Sequence, residues 1–340
     1  MNNIYGSTRE ELENYFLTND EKKFKALQVF EWLYQKKEKN IDHFTNLKKE
    51  LREKMKLNFS FSMPKIIRIE KDTLTRKYLF ELEDKNYIES VIMFHDYGIS
   101  ICVSSQVGCN MGCRFCESGR LKKVRNLETY EIVSQLLLIE DDLKMRISSV
   151  VIMGIGEPLD NYENIIKFIK IINDAKGLAI GIRHITLSTS GLVPKIYDLM
   201  HEELGINLAI SLHAPNDEIR NQIMKVNEVY NISQLLDSVR DYIAHTNRRV
   251  TIEYVMLKGI NDNKTCAIEL AEKLKGMNIY VNLIPYNETN HLEFKKSDVK
   301  TISEFCKTLK ELGINVTIRK EFGSKISAAC GQLRSKEVGL

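Results

Sequence analysis

The chain has 340 residues, 43% of them hydrophobic and 28% charged, with 49 basic and 46 acidic side chains and a formal net charge of +3. This balance permits a nucleic-acid partner without arguing for one. The longest apolar run, around 150–155, is far shorter than the roughly 20 residues of a membrane-spanning helix. Because the N-terminus also lacks a basic region followed by an apolar core, we expect a cytoplasmic protein with no membrane partner.

The first 60 residues are highly charged and contain no proline or glycine from residue 9 to residue 58. Apolar side chains recur there at helical spacing, as at Leu27, Phe30, Leu33 and Tyr34. We therefore predict two or three short helices in a small N-terminal accessory domain, residues 1–60.

Residues 61–97 change to a strand-like pattern after Pro64. The runs "KIIRIEK", "RKYLFELED" and "YIESVIMF" are rich in β-branched and aromatic residues and bounded by turn residues. They predict a β-rich connecting segment, a small antiparallel sheet that leads into the core.

Residues 98–320 alternate between strand-like and helix-like runs. The strand-like runs are "ISICVSS", "SSVVIMG", "HITLSTSG", "INLAISLHA", "RVTIEYVML", "YVNLIPYN" and "NVTIRK", and the helix-like runs lie near 129–142, 162–175, 195–203, 233–245, 264–276 and 297–312. Such alternation predicts an α/β fold of parallel βα units, a partial (β/α)6 TIM-like barrel. We expect residues 321–340 to form a C-terminal loop beyond the last strand.

Polar and glycine- or proline-containing signals follow several of these strands, in "GIGEP", "LSTSG", "SLHAP" and "LIPYN". Parallel barrels place their active sites at the carboxyl ends of their strands, so these segments are expected to line one pocket. Taken alone, each is as readily an ordinary turn. The candidate cofactor-binding residues are Gly156, Glu157, Ser188, Ser211, Leu212, His213 and Asn287.

Seven cysteines are present, an odd number that favours metal binding or thiol chemistry over a disulfide framework. Cys109, Cys113 and Cys116 have the spacing C-x3-C-x2-C in a short loop after a predicted strand. A 4Fe–4S cluster is usually held by four cysteine thiolates, so three would leave one iron open. A zinc site or plain buried cysteines are the alternatives. The spacing resembles the radical S-adenosylmethionine (radical SAM) superfamily, in which the open iron chelates S-adenosylmethionine.

The remaining four cysteines fall into two groups. Cys266 and Cys306 lie within helical patterns and are expected to be small core residues. Cys102 lies in the strand that leads to the cysteine loop, and Cys330 lies in the small-residue loop "SAACGQLR" near the end of the chain. Two thiols near one radical site suggest a role beyond cluster binding.

A closer resemblance extends over nearly the whole chain. The runs "CVSSQVGCNMGCRFC", "VVIMGIGEP", "TLSTSG", "AISLHAPNDEIR", "VTIEYVML", "NLIPYN" and "AACGQL" resemble, in order, the RlmN/Cfr family of radical SAM RNA methyltransferases. The resemblance begins in the N-terminal domain at "FKALQVFEWLY", which would make that domain RNA-binding. It implies methylation of carbon 2 of an adenosine, with carbon 8 as the alternative that confers antibiotic resistance.

The family's chemistry implies a role for each separate thiol. Cys330 would take a methyl group from one S-adenosylmethionine and become S-methylcysteine, while a second S-adenosylmethionine at the 4Fe–4S cluster supplies the radical. Cys102 would resolve the enzyme–RNA adduct through a transient disulfide with Cys330. Glu89, in "YIESV", has the family's spacing for the proton acceptor, although its alternation with apolar neighbours also fits an edge-strand surface glutamate.

The implied RNA substrates are adenosine 2503 of 23S rRNA and adenosine 37 of some tRNAs. Flavodoxin or ferredoxin would donate electrons, and we expect a monomer. The basic loop 119–126 could contact phosphate or could simply be solvated. A radical SAM activase acting on a protein, and a non-enzymatic metal-binding RNA module, are the competing hypotheses. The chain departs from the family pattern at Glu117, Lys225, Lys325 and Ser327, which flank the substrate side.

Overall fold

The computed structural model of the chain describes residues 1–289, 291–320, 322–323, 326–329 and 331–333. Cys330 and Lys325, both singled out in the sequence, lie outside the described residues. In the described part of the chain, no helix is both long enough and apolar enough to span a membrane.

The N-terminal region is helical. Strand β1 (Asn2–Asn3), helices α1 (Arg9–Thr18), α2 (Phe24–Phe30) and α3 (Lys49–Asn58), and strand β2 (Phe59–Ser60) follow one another, with β1 parallel to β2. Helix α1 begins at a capping box in which Thr8 and Glu11 bond to each other's backbone N–H groups. Helix α2 continues into a π-helical turn, Glu31–Gln35. The predicted accessory helices are therefore present.

This helical region packs directly on the rest of the molecule. Phe30 and Tyr34 are buried in the same hydrophobic core as the strands of the central sheet. The Tyr34 hydroxyl donates a hydrogen bond to the Tyr5 carbonyl at 2.9 Å. Lys37 reaches the buried Glu140 with an Nζ–Oε2 distance of 2.7 Å. The N-terminal helices are thus fixed relative to the barrel.

Ten strands of the described part of the chain form the central sheet. They come from β3 (Lys65–Asp72), β4 (Thr75–Glu81), β5 (Tyr87–His95), β6 (Gly98–Cys102), β9 (Ser149–Ile152), β10 (Ile185–Thr189), β11 (Asn207–Ser211), β12 (Val250–Met256), β13 (Ile279–Pro285) and β14 (Val316–Ile318). The short β7 (Gln106–Val107) and β8 (Arg125–Asn126) pair separately. The sheet order is β14-β13-β12-β11-β10-β9-β6-β5-β4-β3. Pairing is parallel from β6 to β14 and antiparallel from β3 to β6.

Helices connect the parallel strands. They are α4 (Thr129–Leu143), α5 (Tyr162–Asn173), α6 (Val193–Met200), α7 (Asp217–Ile223), α8 (Ile232–Thr246), α9 (Lys264–Leu274) and α10 (Val299–Glu311). All six predicted helices are confirmed, and α7 was not predicted. Because the described sheet ends at β3 and β14, it remains open, which confirms the partial α/β barrel. The antiparallel strands are confirmed too, and they extend the barrel sheet rather than forming a separate one.

The parallel strands are buried by helices on one side and by the barrel interior on the other. Their apolar side chains, such as Ile101, Ile152 and Leu187, have no exposed surface. Such two-sided burial explains the near-continuous apolar runs in the sequence. Since all seven strands run the same way, their carboxyl ends meet at one edge of the barrel.

Candidate active site

A cleft of about 960 Å³ opens at the carboxyl ends of the parallel strands. Every parallel strand, or the segment directly after it, contributes to its wall. The lining residues include Cys109, Cys113 and Cys116 after β6, Gly156 and Glu157 after β9, Ser188 on β10, Ser211 and His213 at the end of β11, Glu253 on β12, Asn287 after β13 and Arg319 after β14. Residues far apart in the sequence therefore share one cavity.

The cysteine loop is shaped by glycines. Gly108 and Gly112 have φ angles of +74° and +62°, which favour glycine. A Cβ on Gly119 would lie 2.6 Å from the Cys113 carbonyl oxygen, so that position has no room for a side chain. The Cys109 N–H bonds to the Leu121 carbonyl at 2.9 Å and closes the loop. This tight fold directs all three cysteines to the cleft.

The three thiols are sulfur donors in a poorly solvated place. Burial raises the pKa of Cys109 to about 12, and burial and the neighbouring Cys116 and Cys109 raise the pKa of Cys113. Thiolates of Cys109 and Cys113 can therefore persist there only when a bound metal cation compensates their charge. Among the described residues, no three metal-binding side chains converge as a single ion would require. In a 4Fe–4S cluster each thiolate binds a different iron, so this donor set suits a cluster.

The segment after β9 packs closely against the residues that precede the cysteine loop. Gly156 has φ +112°, and a Cβ there would lie 2.6 Å from the Ser105 hydroxyl oxygen. The buried Glu157 accepts hydrogen bonds from the backbone N–H groups of Ser190 at 2.7 Å and Leu159 at 3.1 Å. Burial raises the pKa of Glu157. Its carboxylate is thus fixed in the cleft wall by backbone donors.

Ser188, Ser211 and His213 lie on adjacent strand ends. The two serine hydroxyls are 3.4 Å apart. His213 has φ +58°, and its Nδ1 accepts a hydrogen bond from the Val255 N–H at 3.1 Å. Burial, and secondarily Arg220, lower the pKa of His213 to about 3. The imidazole is therefore neutral, with its proton on Nε2.

The other two predicted cofactor residues differ in position. Asn287 lines the cleft directly after β13. The Leu212 side chain has no exposed surface and packs in the core, so it does not line the cleft. Its carbonyl accepts a hydrogen bond from Arg220 Nε at 3.1 Å. Only the backbone of Leu212 remains for the role predicted for it.

A second cavity, of about 700 Å³, adjoins the first. Cys102 lines it, as do Ala329 and Gly331, the described neighbours of Cys330. Cys116 and Asn287 belong to the walls of both cavities, so the two cavities are adjacent. The structure therefore brings Cys102 and both flanks of Cys330 beside the cysteine loop.

Glu89 lies on β5 inside the sheet, so the edge-strand surface alternative is wrong. Its side chain is 2% exposed, and its Oε1 lies 3.4 Å from Lys77 Nζ. On β5, Val91 is paired with Cys102 of β6. Because alternate residues of a strand share a face, Glu89 shares its face of the sheet with Val91 and Cys102. Glu89 does not line either cavity.

Two of the departures from the family pattern, Glu117 and Lys225, lie at the cysteine loop. Glu117 is buried, and its N–H donates to the Gly331 carbonyl at 2.8 Å. Lys225 is exposed and lies over the loop, since a Cβ on Gly112 would lie 3.1 Å from Lys225 Cδ. Ser327 is exposed with φ +49°.

The basic loop 119–126 is largely neutralised within the protein. Arg125 makes a bidentate pair with Glu131 at 2.7 and 2.8 Å and also contacts Asp84 at 2.6 Å. Lys123 Nζ lies 2.7 Å from Asp160. These contacts favour a structural role for both cations over phosphate binding.

Sequence reasoning missed several cleft residues. Thr189, Ser190, Glu253 and Arg319 line the cleft, and the fully buried Arg220 supports it from behind by donating to the Ser190 carbonyl at 2.7 Å. A glutamate inside the buried run "VTIEYVML" is the one signal that could have identified Glu253. Cys266 and Cys306 are buried in α9 and α10, as predicted.

Comparisons with known proteins agree with this geometry. Residues 103–271 match the model of the Radical SAM superfamily, and residues 2–60 match that of the Ribosomal RNA large subunit methyltransferase N-terminal domain. The chain is 50% identical over 336 residues to "Probable dual-specificity RNA methyltransferase RlmN" of Acholeplasma laidlawii, covering 98% of this chain and 99% of that protein. It is 51% identical over 344 residues to the protein of the same name from Enterococcus faecalis, covering 98% and 96%.

A solved structure agrees as well. The crystal structure of a radical SAM methyltransferase from Sphaerobacter thermophilus superposes with a TM-score of 0.93 at 38% sequence identity, covering 99% of this chain and 100% of that one. The chain therefore belongs to the RlmN family of dual-specificity RNA methyltransferases, within the radical SAM superfamily.

Proposed function

We propose that this RNA methyltransferase methylates carbon 2 of adenosine 2503 in 23S rRNA and of adenosine 37 in some tRNAs, with two S-adenosylmethionine molecules used per turnover. One observation carries the proposal. Cys102 shares a cavity with Ala329 and Gly331, which flank Cys330, and that cavity adjoins the cleft of the three cysteines.

The chemistry of the target explains why a separate thiol is needed. Carbon 2 of adenine lies between two ring nitrogens and is electrophilic, so it cannot attack a methyl sulfonium. A cysteine thiolate can, by ordinary nucleophilic displacement. Cys330 is thus the methyl carrier. It takes the methyl group as its sulfur–carbon bond forms and the sulfonium bond breaks, with S-adenosylhomocysteine leaving.

The cleft residues hold the cofactors. Cys109, Cys113 and Cys116 are the thiolates for one 4Fe–4S cluster, with the fourth iron left for S-adenosylmethionine. The remaining candidates for binding it are Gly156, Glu157, Ser188, Ser211, Leu212 through its backbone, His213 and Asn287. When bound, the cluster supplies the electron that cleaves S-adenosylmethionine to the radical that removes a hydrogen from the carried methyl group.

The two remaining residues complete the turnover. Once the methylene carbon on Cys330 is joined to the adenine, the Cys102 thiolate attacks the Cys330 sulfur, and a disulfide forms as the carbon–sulfur bond breaks. The electron pair of that bond stays on the carbon, which takes up a proton to become the methyl group of the released base. A thiol reductant must then reduce the disulfide before the next turnover. Glu89, on the same face of the sheet as Cys102, is the proton acceptor. Thiol attack on sulfur needs a thiolate, and a buried thiol reacts only where its partner is held close.

The cellular setting follows from the chemistry. Iron–sulfur clusters and free thiols require a reducing compartment, so we place the protein in the cytoplasm. Flavodoxin or ferredoxin is the proposed electron donor, and the protein acts as a monomer. An adenosine in folded RNA must leave its stack to enter the cleft, which costs a few kcal/mol.

The test is nucleoside analysis of RNA treated with the cluster-loaded protein, S-adenosylmethionine and a reductant without oxygen. We expect 2-methyladenosine in both a 23S rRNA fragment and tRNA. If 8-methyladenosine appears in its place, the carbon-8 alternative is correct. If neither appears while S-adenosylmethionine is cleaved, an activase that acts on a protein becomes the better account.

A further inference from the structure

Glu253 is a buried carboxylate in the cleft that the proposed chemistry leaves without a role. It lies in the middle of β12, where its side chain is 4% exposed, and it lines the cleft with Ser188 and Ser211. Burying a carboxylate costs free energy unless its oxygens receive hydrogen bonds. The partners of its two oxygens therefore indicate what the site is built to bind.

The two oxygens have different surroundings. Oε1 accepts a hydrogen bond from Asn282 Nδ2 at 3.1 Å. Oε2 has no hydrogen-bond partner within the described part of the chain. The Arg319 guanidinium is 3.7 Å away, a distance too long for a hydrogen bond but short enough for attraction. Burial raises the pKa of Glu253, whereas Arg319 and Asn282 lower it.

The neighbouring strands present polar groups at the same level. Ser211 of β11 lies opposite Glu253, and Asn282 of β13 lies opposite it on the other side. Residues directly opposite one another across a sheet have side chains on the same face. The result is a row of hydroxyl, carboxylate and amide groups across three strands, and its carboxylate has a free acceptor oxygen.

The charge nearby indicates the kind of donor that fits. Arg319 already provides a cation beside Oε2, so a second cation, such as the ammonium of an amino acid, would be repelled from the same oxygen. A neutral hydroxyl donor meets no such repulsion. The ribose of an adenosyl group offers two adjacent hydroxyls, and buried carboxylates recognise ribose hydroxyls in other nucleotide-binding folds.

We propose that Glu253 is a further cofactor-binding residue, whose Oε2 accepts a hydrogen bond from a ribose hydroxyl of S-adenosylmethionine. This inference rests on the proposed binding of S-adenosylmethionine in the same cleft. Ser211 continues the polar row beside Glu253 and helps to orient the sugar. Arg319 attracts the ionised form of the carboxylate, and an ionised acceptor makes a stronger hydrogen bond than a neutral one.

Binding of S-adenosylhomocysteine and its 2′-deoxy and 3′-deoxy analogues to the cluster-loaded protein tests the proposal by calorimetry. A hydrogen bond to a charged group corresponds to about tenfold or more in affinity. The wild-type protein should bind one deoxy analogue at least about tenfold more weakly than the ribose compound. Glu253→Gln, which retains a neutral acceptor, should reduce this ratio, and Glu253→Met should bring it close to one.

Controls separate a binding role from a folding defect. Glu140→Gln alters another buried carboxylate, on α4 and outside the cleft, and should leave the ratio unchanged. Iron content and the thermal midpoint are measured for each variant, and Glu253→Asp is the second variant should Glu253→Met fail to fold. An unchanged ratio in folded, iron-loaded Glu253 variants would overturn this inference alone. Failure of the wild-type protein to bind S-adenosylhomocysteine would overturn the proposed function with it.

Discussion

The backbone N–H of Glu117 donates a hydrogen bond to the carbonyl of Gly331 at 2.8 Å. Glu117 directly follows the third cysteine of the loop, and Gly331 directly follows the proposed methyl carrier. The next residue, Ser118, donates from its hydroxyl to the Leu333 carbonyl, also at 2.8 Å. Two hydrogen bonds therefore link the cysteine loop to the described part of the C-terminal segment.

This link predicts that Ser118→Ala slows methylation of Cys330 without loss of iron. The lost hydrogen bond is worth about 1 kcal/mol, which corresponds to about fivefold in rate if all of it positions the carrier. The methylated fraction of Cys330 is followed by mass spectrometry over time. Ser134→Ala is the matched control, because Ser134 is buried on α4 and its hydroxyl has no partner in the described structure. Equal rates in the two variants would argue against the link.

Cys102→Ala should leave the RNA attached to the protein. Cys102 lines the cavity that Ala329 and Gly331 share, and no other described cysteine does so except the loop cysteine Cys116. Without the proposed resolving thiol, we expect a covalent protein–RNA species that survives denaturation, visible as a shifted band on a denaturing gel. Cys306→Ala, in the buried face of α10, should turn over normally. Complete turnover by Cys102→Ala would exclude the disulfide step.

Gly156→Ala should lower the free energy of unfolding of the protein. A Cβ there would approach the Ser105 hydroxyl to 2.6 Å, and the φ of +112° disfavours any side chain. Overpacking alone costs about 1–3 kcal/mol, and backbone strain adds to it. Urea unfolding measures the difference. Gly276→Ala, at φ +79° with open space around it, should cost only about 1–2 kcal/mol. A smaller loss at Gly156 than at Gly276 would refute the packing argument.

His213 should make stability depend on pH. Burial lowers its pKa to about 3, whereas a histidine of the unfolded chain titrates near 6.5. Below pH 6.5 His213 becomes protonated in the unfolded chain but stays neutral in the folded protein. The contribution of His213 to the free energy of unfolding is therefore fully present above pH 6.5 and is lost as the pH falls toward 3.

Between pH 6 and pH 5, wild-type protein should lose about 1 kcal/mol more free energy of unfolding than His213→Asn does. Denaturant unfolding at several pH values measures this difference. His184→Asn, at an exposed position, serves as the control and should follow the wild-type curve. If the stability of His213→Asn depends on pH as the wild-type stability does, then His213 takes up a proton in the folded protein as it does in the unfolded chain, and the argument is wrong.

The alternation of apolar runs was enough to predict the seven parallel strands and six of the connecting helices. The spacing of Cys109, Cys113 and Cys116 was enough to predict a shared loop. Both signals are local, because the period of a helix or strand and the spacing of cysteines in a loop can be recognised from a few consecutive residues. Helix α7 was not predicted, because it has only seven residues and lies between a strand and another helix.

The contacts that complete the site depend on pairing between distant strands. The register that places Ser211, Glu253 and Asn282 in one row appears only when β11, β12 and β13 pair. Strand β5 pairs with β4 on one side and with β6 on the other, so it is not an edge strand and the edge-strand alternative for Glu89 is wrong. Leu212 was predicted to line the pocket because the run "SLH" follows a strand. Successive side chains point to opposite sides of the chain, so the Leu212 side chain packs in the core instead.

The central claim is that Cys330 carries the methyl group, and the tryptic peptide 326–334 tests it most directly. Protein purified without oxygen from iron-supplemented cells should yield "ISAACGQLR" with one methyl group added on Cys330. An unmodified Cys330, in protein that has an intact cluster and has been supplied with S-adenosylmethionine, would contradict the methyl-carrier account.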